Sequence, residues 1–309
     1  MRKVNILFLV GLCLGALVAL VLVVVQPQRH IVTALGPTPV AAAGTETTGG
    51  QEPAPDTSDT PAPTRSSGAS AKSHAPAKPG ADRGKQLEKL VPDGHVSVVV
   101  YDRRTKSTVI SLNPDRTYTS ASLVKLMIAF RALDHGAAAS TVTEMLERSD
   151  DHTASALWTQ YGWTSIVDDA VSRMGLKNTR PPASAGHWGD TRITAGDITR
   201  IYQYLMDEAP ERDRTVILNA LHHATEYGAD GIRQFFGIPD AFGPGNFAVK
   251  QGWSCCEPSD SIMLHTTGLV DDDRFLVTVL TQQPAAADYG KASAKITAVI
   301  KNLVSLLRS

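Results

Sequence analysis

Cysteine is scarce in this chain, and two of its three copies are adjacent. Cys255 and Cys256 are the only thiols outside an apolar N-terminal run, and neighbours pair with each other only through a strained ring. That ring, a bridge to another molecule and two reduced thiols are all compatible with the sequence. Charge of one sign is missing too. The formal net charge at pH 7 is -1, with no basic block and no interleaving of aromatic with basic residues, which removes nucleic acid from the expected partners. Histidines do not converge at ligand spacing: His222 and His223 are adjacent and point apart on a helix, so no metal is expected. Nothing in the chain calls for a cofactor.

Between residues 31 and 80, aromatic and large aliphatic residues are nearly absent, replaced by Pro, Ala, Gly, Ser and Thr. Such a stretch buries too little apolar surface to offset its ordering entropy. Residues 31–82 therefore read as a disordered linker, extended where prolines cluster. Ahead of it, residues 6–25 run without a charged or strongly polar side chain, long enough to cross a bilayer as a helix. Gln26, Gln28, Arg29 and His30 follow, and the first cluster of small residues is far downstream at 41–44. Residues 1–30 thus read as an uncleaved anchor in preference to a cleaved secretory signal. Leu12 stands before Cys13 where a lipid-modified cysteine wants a small residue, so Cys13 reads as a membrane-facing thiol. Arg2 and Lys3 favour a cytoplasmic N-terminus. The expectation is a single-pass cell-membrane protein with an extracytoplasmic domain, or a secreted one if the segment is cleaved.

The stretch 118–130, YTSASLVKLMIAF, is apolar from 121 to 130 except at Ser122 and Lys125. A helix that is apolar nearly all round is buried, and a lysine is almost never buried without a partner. Three apart on a helix, Ser122 and Lys125 share a face. A desolvated lysine has a lowered pKa and can take the proton of a hydroxyl that is otherwise a poor nucleophile. Thr119 or Ser120 is placed to cap the helix, with Ser122 in its first turn near the positive dipole end.

One folded domain is expected over 83–309. Strand patterns at 95–101 and 108–112 flank the polar turn DRRTKS and form a hairpin. Helical spacing or composition recurs at 141–148, 154–161, 164–174, 195–207 and 214–226. Strands follow at 246–250, 261–269 and 274–281, then an amphipathic helix at 292–307 with Ile296, Ile300, Leu303 and Leu307 on one stripe. This order is not the alternation of a doubly wound parallel sheet. The fold class is mixed α/β of the α+β type: an antiparallel five-stranded sheet flanked by terminal helices, with an all-helical insertion at about 122–240.

Two further patches complete a pattern. Ser149-Asp150-Asp151 follows a helix of the insertion, and Lys250-Gln251-Gly252 ends the strand after it. Ser-x-x-Lys, Ser-Asp-Asn and Lys-Thr-Gly in that order are the signature of class A serine β-lactamases and penicillin-binding peptidases, and the chain resembles that superfamily over 83–309. The resemblance implies an acyl-enzyme. Ser122 would attack a β-lactam or a cell-wall peptide carbonyl, and Lys125 would help remove its proton. Ser149 would relay a proton to the leaving nitrogen, while Lys250 would order that relay and attract a substrate carboxylate. The backbone N–H groups of Ser122 and Trp253 would form the oxyanion hole, and Asp151, Gln251 and Gly252 would meet the substrate.

The departures carry equal weight, because only the first element matches in full. Asp151 stands where the family has Asn and donates only if protonated. Gln251 replaces a Thr whose hydroxyl meets the substrate carboxylate, with an amide N–H as partial substitute. Residues 175–194 contain no Glu to activate a deacylating water, and Asp190 is their only carboxylate. Slow turnover of an acyl-enzyme is therefore expected rather than efficient lactam hydrolysis. A catalytically impaired binding module at the cell wall is the alternative. His152 reads as a helix-start residue and His265 as a strand residue, packed or at the surface. Trp158, Trp163, Trp188 and Trp253 read as packing residues before a sugar-stacking platform, with Trp253 the best exception.

Overall fold

The computed structural model describes residues 79–256 and 260–307. The apolar run 6–25, Cys13 and the linker up to residue 78 lie outside them. Among the described residues no helix is long and apolar enough to cross a membrane.

The chain enters through α1 (Pro79–Glu88) and the hairpin of β1 (His95–Asp102) and β2 (Ser107–Leu112). After the short β3 (Tyr118–Thr119), a 3-10 turn at Ala121–Val124 runs into α2 (Lys125–Asp134). The insertion continues as α3 (Ala139–Glu147), α4 (Asp151–Gln160) and α5 (Ser165–Met174). A 3-10 turn at Trp188–Asp190 and β4 (Arg192–Ile193) precede α6 (Ala195–Asp207), α7 (Glu211–His222) and α8 (Ile238–Phe242). The chain closes with β5 (Phe247–Ser254), β6 (Ser261–Val270), β7 (Phe275–Pro284) and α9 (Asp288–Leu307).

The five-stranded sheet has the order β2-β1-β7-β6-β5 and is antiparallel throughout, as the sequence pattern predicts. Strands from before and after the insertion meet at the β1–β7 pair, so the helical segment is a true insertion between halves of one sheet. Successive side chains of a strand point to opposite faces, and here both faces are covered. Val99, Ala248, Leu269, Leu276 and Leu280 pack with the insertion helices, while Val98, Val100, Leu264, Val277 and Val279 pack with Ile296, Ile300 and Leu303 of α9. That double cover explains why β6 and β7 are buried along nearly their whole length.

Two local details depart from expectation. Ser120 precedes the first turn but its side chain caps nothing, because its backbone is already helical (φ -73°, ψ -25°) where a cap needs an extended residue. Its hydroxyl donates instead to the carbonyls of Ala121 (3.1 Å) and Gly189 (3.2 Å). α4 starts three residues earlier than its helical pattern, because Asp150 accepts from the His152 backbone N–H at 3.0 Å and from Thr153 Oγ1 at 2.6 Å.

Candidate active site

Ser122 sits in the 3-10 turn and Lys125 opens α2, so the two side chains rise from one continuous helical segment. Lys125 Nζ donates to Ser122 Oγ at 2.6 Å, to the Ser149 carbonyl at 3.0 Å and to Asp151 Oδ1 at 2.5 Å, and lies 3.3 Å from Ser149 Oγ. Lys250 Nζ, arriving from β5, donates to Ser149 Oγ at 2.8 Å and to the Gln251 carbonyl at 3.0 Å. An unbroken line of contacts therefore joins Ser122, Lys125, Ser149 and Lys250, and all four residues are buried. Access is narrow, since Ser122 is only 5% exposed. Cavities of about 560 Å³ beside Phe235, Tyr289 and Lys301 and about 290 Å³ beside His222, Phe247 and Asp273 lie elsewhere on the domain.

The backbone is strained at two points of this cluster. Ala121, just before Ser122, has φ +45°, and Ser149, between α3 and α4, has φ +51°. Residues with a Cβ adopt this left-handed region at a cost of order 1–3 kcal/mol and keep it only where the surroundings over-determine it. At Ser149 the turn leaves both the carbonyl and the hydroxyl on Lys125.

Burial pushes the Lys125 amine below the ordinary lysine value, and the Asp151 carboxylate opposes the shift. For Lys250 burial acts first and the neighbouring Lys125 charge second, holding it well below the ordinary value against Asp151 and Asp230. Two amines so close disfavour double protonation. A lysine with a lowered pKa, 2.6 Å from an alcohol, can accept that alcohol's proton as the oxygen attacks a carbonyl. Aromatic faces line the amines: Nζ of Lys125 is 4.7 Å from the Trp188 ring centre and Nζ of Lys250 is 5.8 Å from that of Trp253.

Comparison with known proteins follows the same lines. No protein-family model matches the chain. Among solved structures, the TLA-3 extended-spectrum β-lactamase superposes with a TM-score of 0.65 at 13% identity, covering 74% of this chain and 100% of that one. PBP-A superposes at 0.60 with 15% identity, covering 76% and 98%. The fold is that of the β-lactamase and penicillin-binding superfamily. LppW of Mycobacterium tuberculosis is 35% identical over 224 residues, covering 67% of this chain and 69% of the relative, and the Mycobacterium bovis protein matches equally. The chain belongs to the LppW family. The name of those relatives designates a lipoprotein.

In this LppW-family chain several expected site residues sit differently from the expectation. Gln251, taken as a substrate contact, faces away from the cluster. Its Nε2 donates to the carbonyls of Gln234 (2.9 Å) and Phe236 (2.7 Å), which leaves no amide N–H for a ligand. The reason is the strand alternation that puts Lys250 on the opposite face. Gly252 does allow a close approach, but by the protein itself: a Cβ there would lie 3.0 Å from the Ser120 carbonyl and 3.1 Å from Leu123. Asp151 is not simply a stand-in for an amide, since it is ion-paired to Lys125 while its side chain remains 65% exposed. Trp253 adjoins Gly252 on β5, with its indole N–H on Asp230 Oδ2 at 2.9 Å.

Asp190 pairs with His187 at 3.5 Å. His152 is exposed, and its backbone N–H serves the start of α4. His222 contacts the Phe247 carbonyl at 3.1 Å and Asp273 at 3.4 Å, and among the described residues no group of His, Cys, Asp and Glu could hold a metal ion. Cys255 and Cys256 are joined to each other. Trp158 is a core residue, its indole N–H on the Ala185 carbonyl at 2.8 Å, and Trp163 is exposed. His265 is buried with Nε2 on the Thr119 carbonyl at 2.8 Å, while Nδ1 accepts from the Thr281 backbone N–H at 3.3 Å. It thereby ties β6 to the backbone just ahead of the 3-10 turn that carries Ser122.

Sequence reasoning missed Asp230, whose charge acts on both lysines. The only local signal is the turn-forming run Gly228-Ala229-Asp230-Gly231, which says nothing about its neighbour Trp253.

Proposed function

We propose that this protein is a membrane-attached, extracytoplasmic serine acyltransferase or hydrolase that forms an acyl-enzyme on Ser122 with β-lactams or cell-wall peptides and releases it slowly. The observation that carries this reading is the buried Lys125 amine 2.6 Å from Ser122 Oγ. As Oγ bonds to the carbonyl carbon, its proton passes to the neutral amine. The developing oxyanion is met by the backbone N–H groups of Ser122 and Trp253. Ser149 then protonates the departing nitrogen and is reloaded along the line of contacts from Lys125, with Lys250 holding its hydroxyl. Deacylation is slow because residues 175–194 supply no Glu and Asp190 is engaged by His187. Attachment is assigned to residues 1–30, supported by the apolar run 6–25 and by the relatives' name as a lipoprotein.

A second reading, a binding module that has lost the chemistry, is favoured by the narrow access to Ser122 and by the Asp151 carboxylate, which opposes the loss of charge on Lys125. Covalent labelling with a fluorescent penicillin separates the two. The enzyme reading requires labelling of the wild type and none of Ser122→Ala, with nitrocefin turned over much more slowly than the label is taken up. Absence of label at any concentration or time selects the binding module.

A further inference from the structure

Lys125 is sealed, whereas its counter-ion is not. The Asp151 side chain is 65% exposed while that of Lys125 is 0% exposed, so an incoming molecule meets the carboxylate before it meets the amine. Trp188 shares the Lys125 amine with this carboxylate. Its ring lies over Lys125, and its Nε1 is 3.1 Å from Ser155 Oγ, one turn along α4 from Asp151. A carboxylate next to an aromatic ring is a pairing that attracts organic cations.

The charged groups around the amine are Asp151 and Asp150 from α4, Asp230 from the segment before α8, and Lys250 from β5. Only Asp151 touches it. Asp150 is occupied at the start of α4 and Asp230 holds the Trp253 indole. While paired with Asp151 at 2.5 Å, Lys125 is held toward its charged form, against the effect of burial, and is a poorer base. Once that carboxylate is drawn off, burial favours the neutral amine.

We propose that the acyl donor carries an ammonium on its acyl side, bound by Asp151 beside Trp188, and that this cation takes the carboxylate from Lys125 and so switches the base on. The proton that Lys125 sheds leaves to water at the exposed carboxylate. The neutral amine then takes the Ser122 proton as the Oγ–C bond forms, and the C–N bond breaks with protonation by Ser149. Asp151 is thus both a specificity determinant and the restraint on the idle site. This rests on the acyl-enzyme reading above.

The test is the rate of acylation, followed by intact mass, with two penicillins matched in shape, one bearing an aminobenzyl and the other a benzyl side chain. It is run at neutral pH. Wild type is expected to react faster with the aminobenzyl compound by on the order of tenfold. Asp151→Asn is expected to lose that preference and to react faster than wild type with the benzyl compound. Equal rates in wild type, or a preference that survives in Asp151→Asn, overturn the proposal while leaving the acyl-enzyme intact. Failure of both compounds to acylate Ser122 in both proteins overturns the acyl-enzyme reading and this inference with it. The wild-type comparison stands even if the variant folds poorly.

Discussion

Lys250 and Gln251 are neighbours on β5, both buried, and they face opposite sides of the sheet. On the insertion side, Lys250 joins a cluster of two amines and two hydroxyls whose members satisfy one another and leave one carboxylate exposed. On the α9 side, Gln251 spends its amide on two backbone carbonyls within an apolar layer. The same burial thus serves opposite ends. Buried charge is costly unless paired, so the insertion-side cluster is held together at the expense of stability that the apolar face supplies. Polar groups on the second face are tolerated only where they close hydrogen bonds.

The sharpest way to break this contrast is Lys125→Met. Acylation of Ser122 should fall by about a thousandfold or more, while stability changes by only about 1–3 kcal/mol, because the buried Ser149 carbonyl loses a donor as the cost of burying the amine is removed. A variant that loses both in proportion would show Lys125 to be structural. Ile300→Ala, on the other face, should do the reverse. Loss of a fully buried side chain there costs about 2–5 kcal/mol by urea denaturation, with the acylation rate of folded protein unchanged.

His265 offers a smaller effect that links the faces to pH. Burial lowers its pKa from 6.5 to about 4, against the hydrogen bond to the Thr119 carbonyl. The unfolded chain therefore binds a proton from about pH 6.5 downward, where the folded protein does not until about pH 4. Stability falls as pH drops through that window, by about 3 kcal/mol from this group. Denaturation curves at pH 7.5 and 4.5 should converge partly in His265→Gln. The smallest effect is expected for Gln251→Ala. Two buried carbonyls lose their donors, a cost of about 1–3 kcal/mol, and labelling of Ser122 changes little. A large loss of labelling would return Gln251 to the list of substrate contacts.

The strands and most helices were legible because periodicity reports burial one residue at a time. The run around Ser122 and Lys125 stood out for the same reason, as a charge inside an apolar helix. Gln251 was misread because a three-residue motif does not say which face its middle side chain takes in a strand buried on both sides. Asp230 was missed because its turn lies 23 residues from the tryptophan it holds. The pairing of Asp151 with Lys125 was hidden because the motif names a residue type at that position and not its partner.

Composition and spacing were enough to determine the antiparallel sheet and the helical insertion and to single out Ser122 and Lys125, while Ser149 and Lys250 came from the resemblance of their motifs. Only the tertiary structure decided that they meet: Ser149 and Lys250 stand 101 residues apart yet lie 2.8 Å from each other. It also decided that Asp151 holds Lys125, which opposes the loss of charge that burial favours. Local patterns encode what each segment must bury, whereas contact between distant segments depends on how the folded sheet brings their ends together.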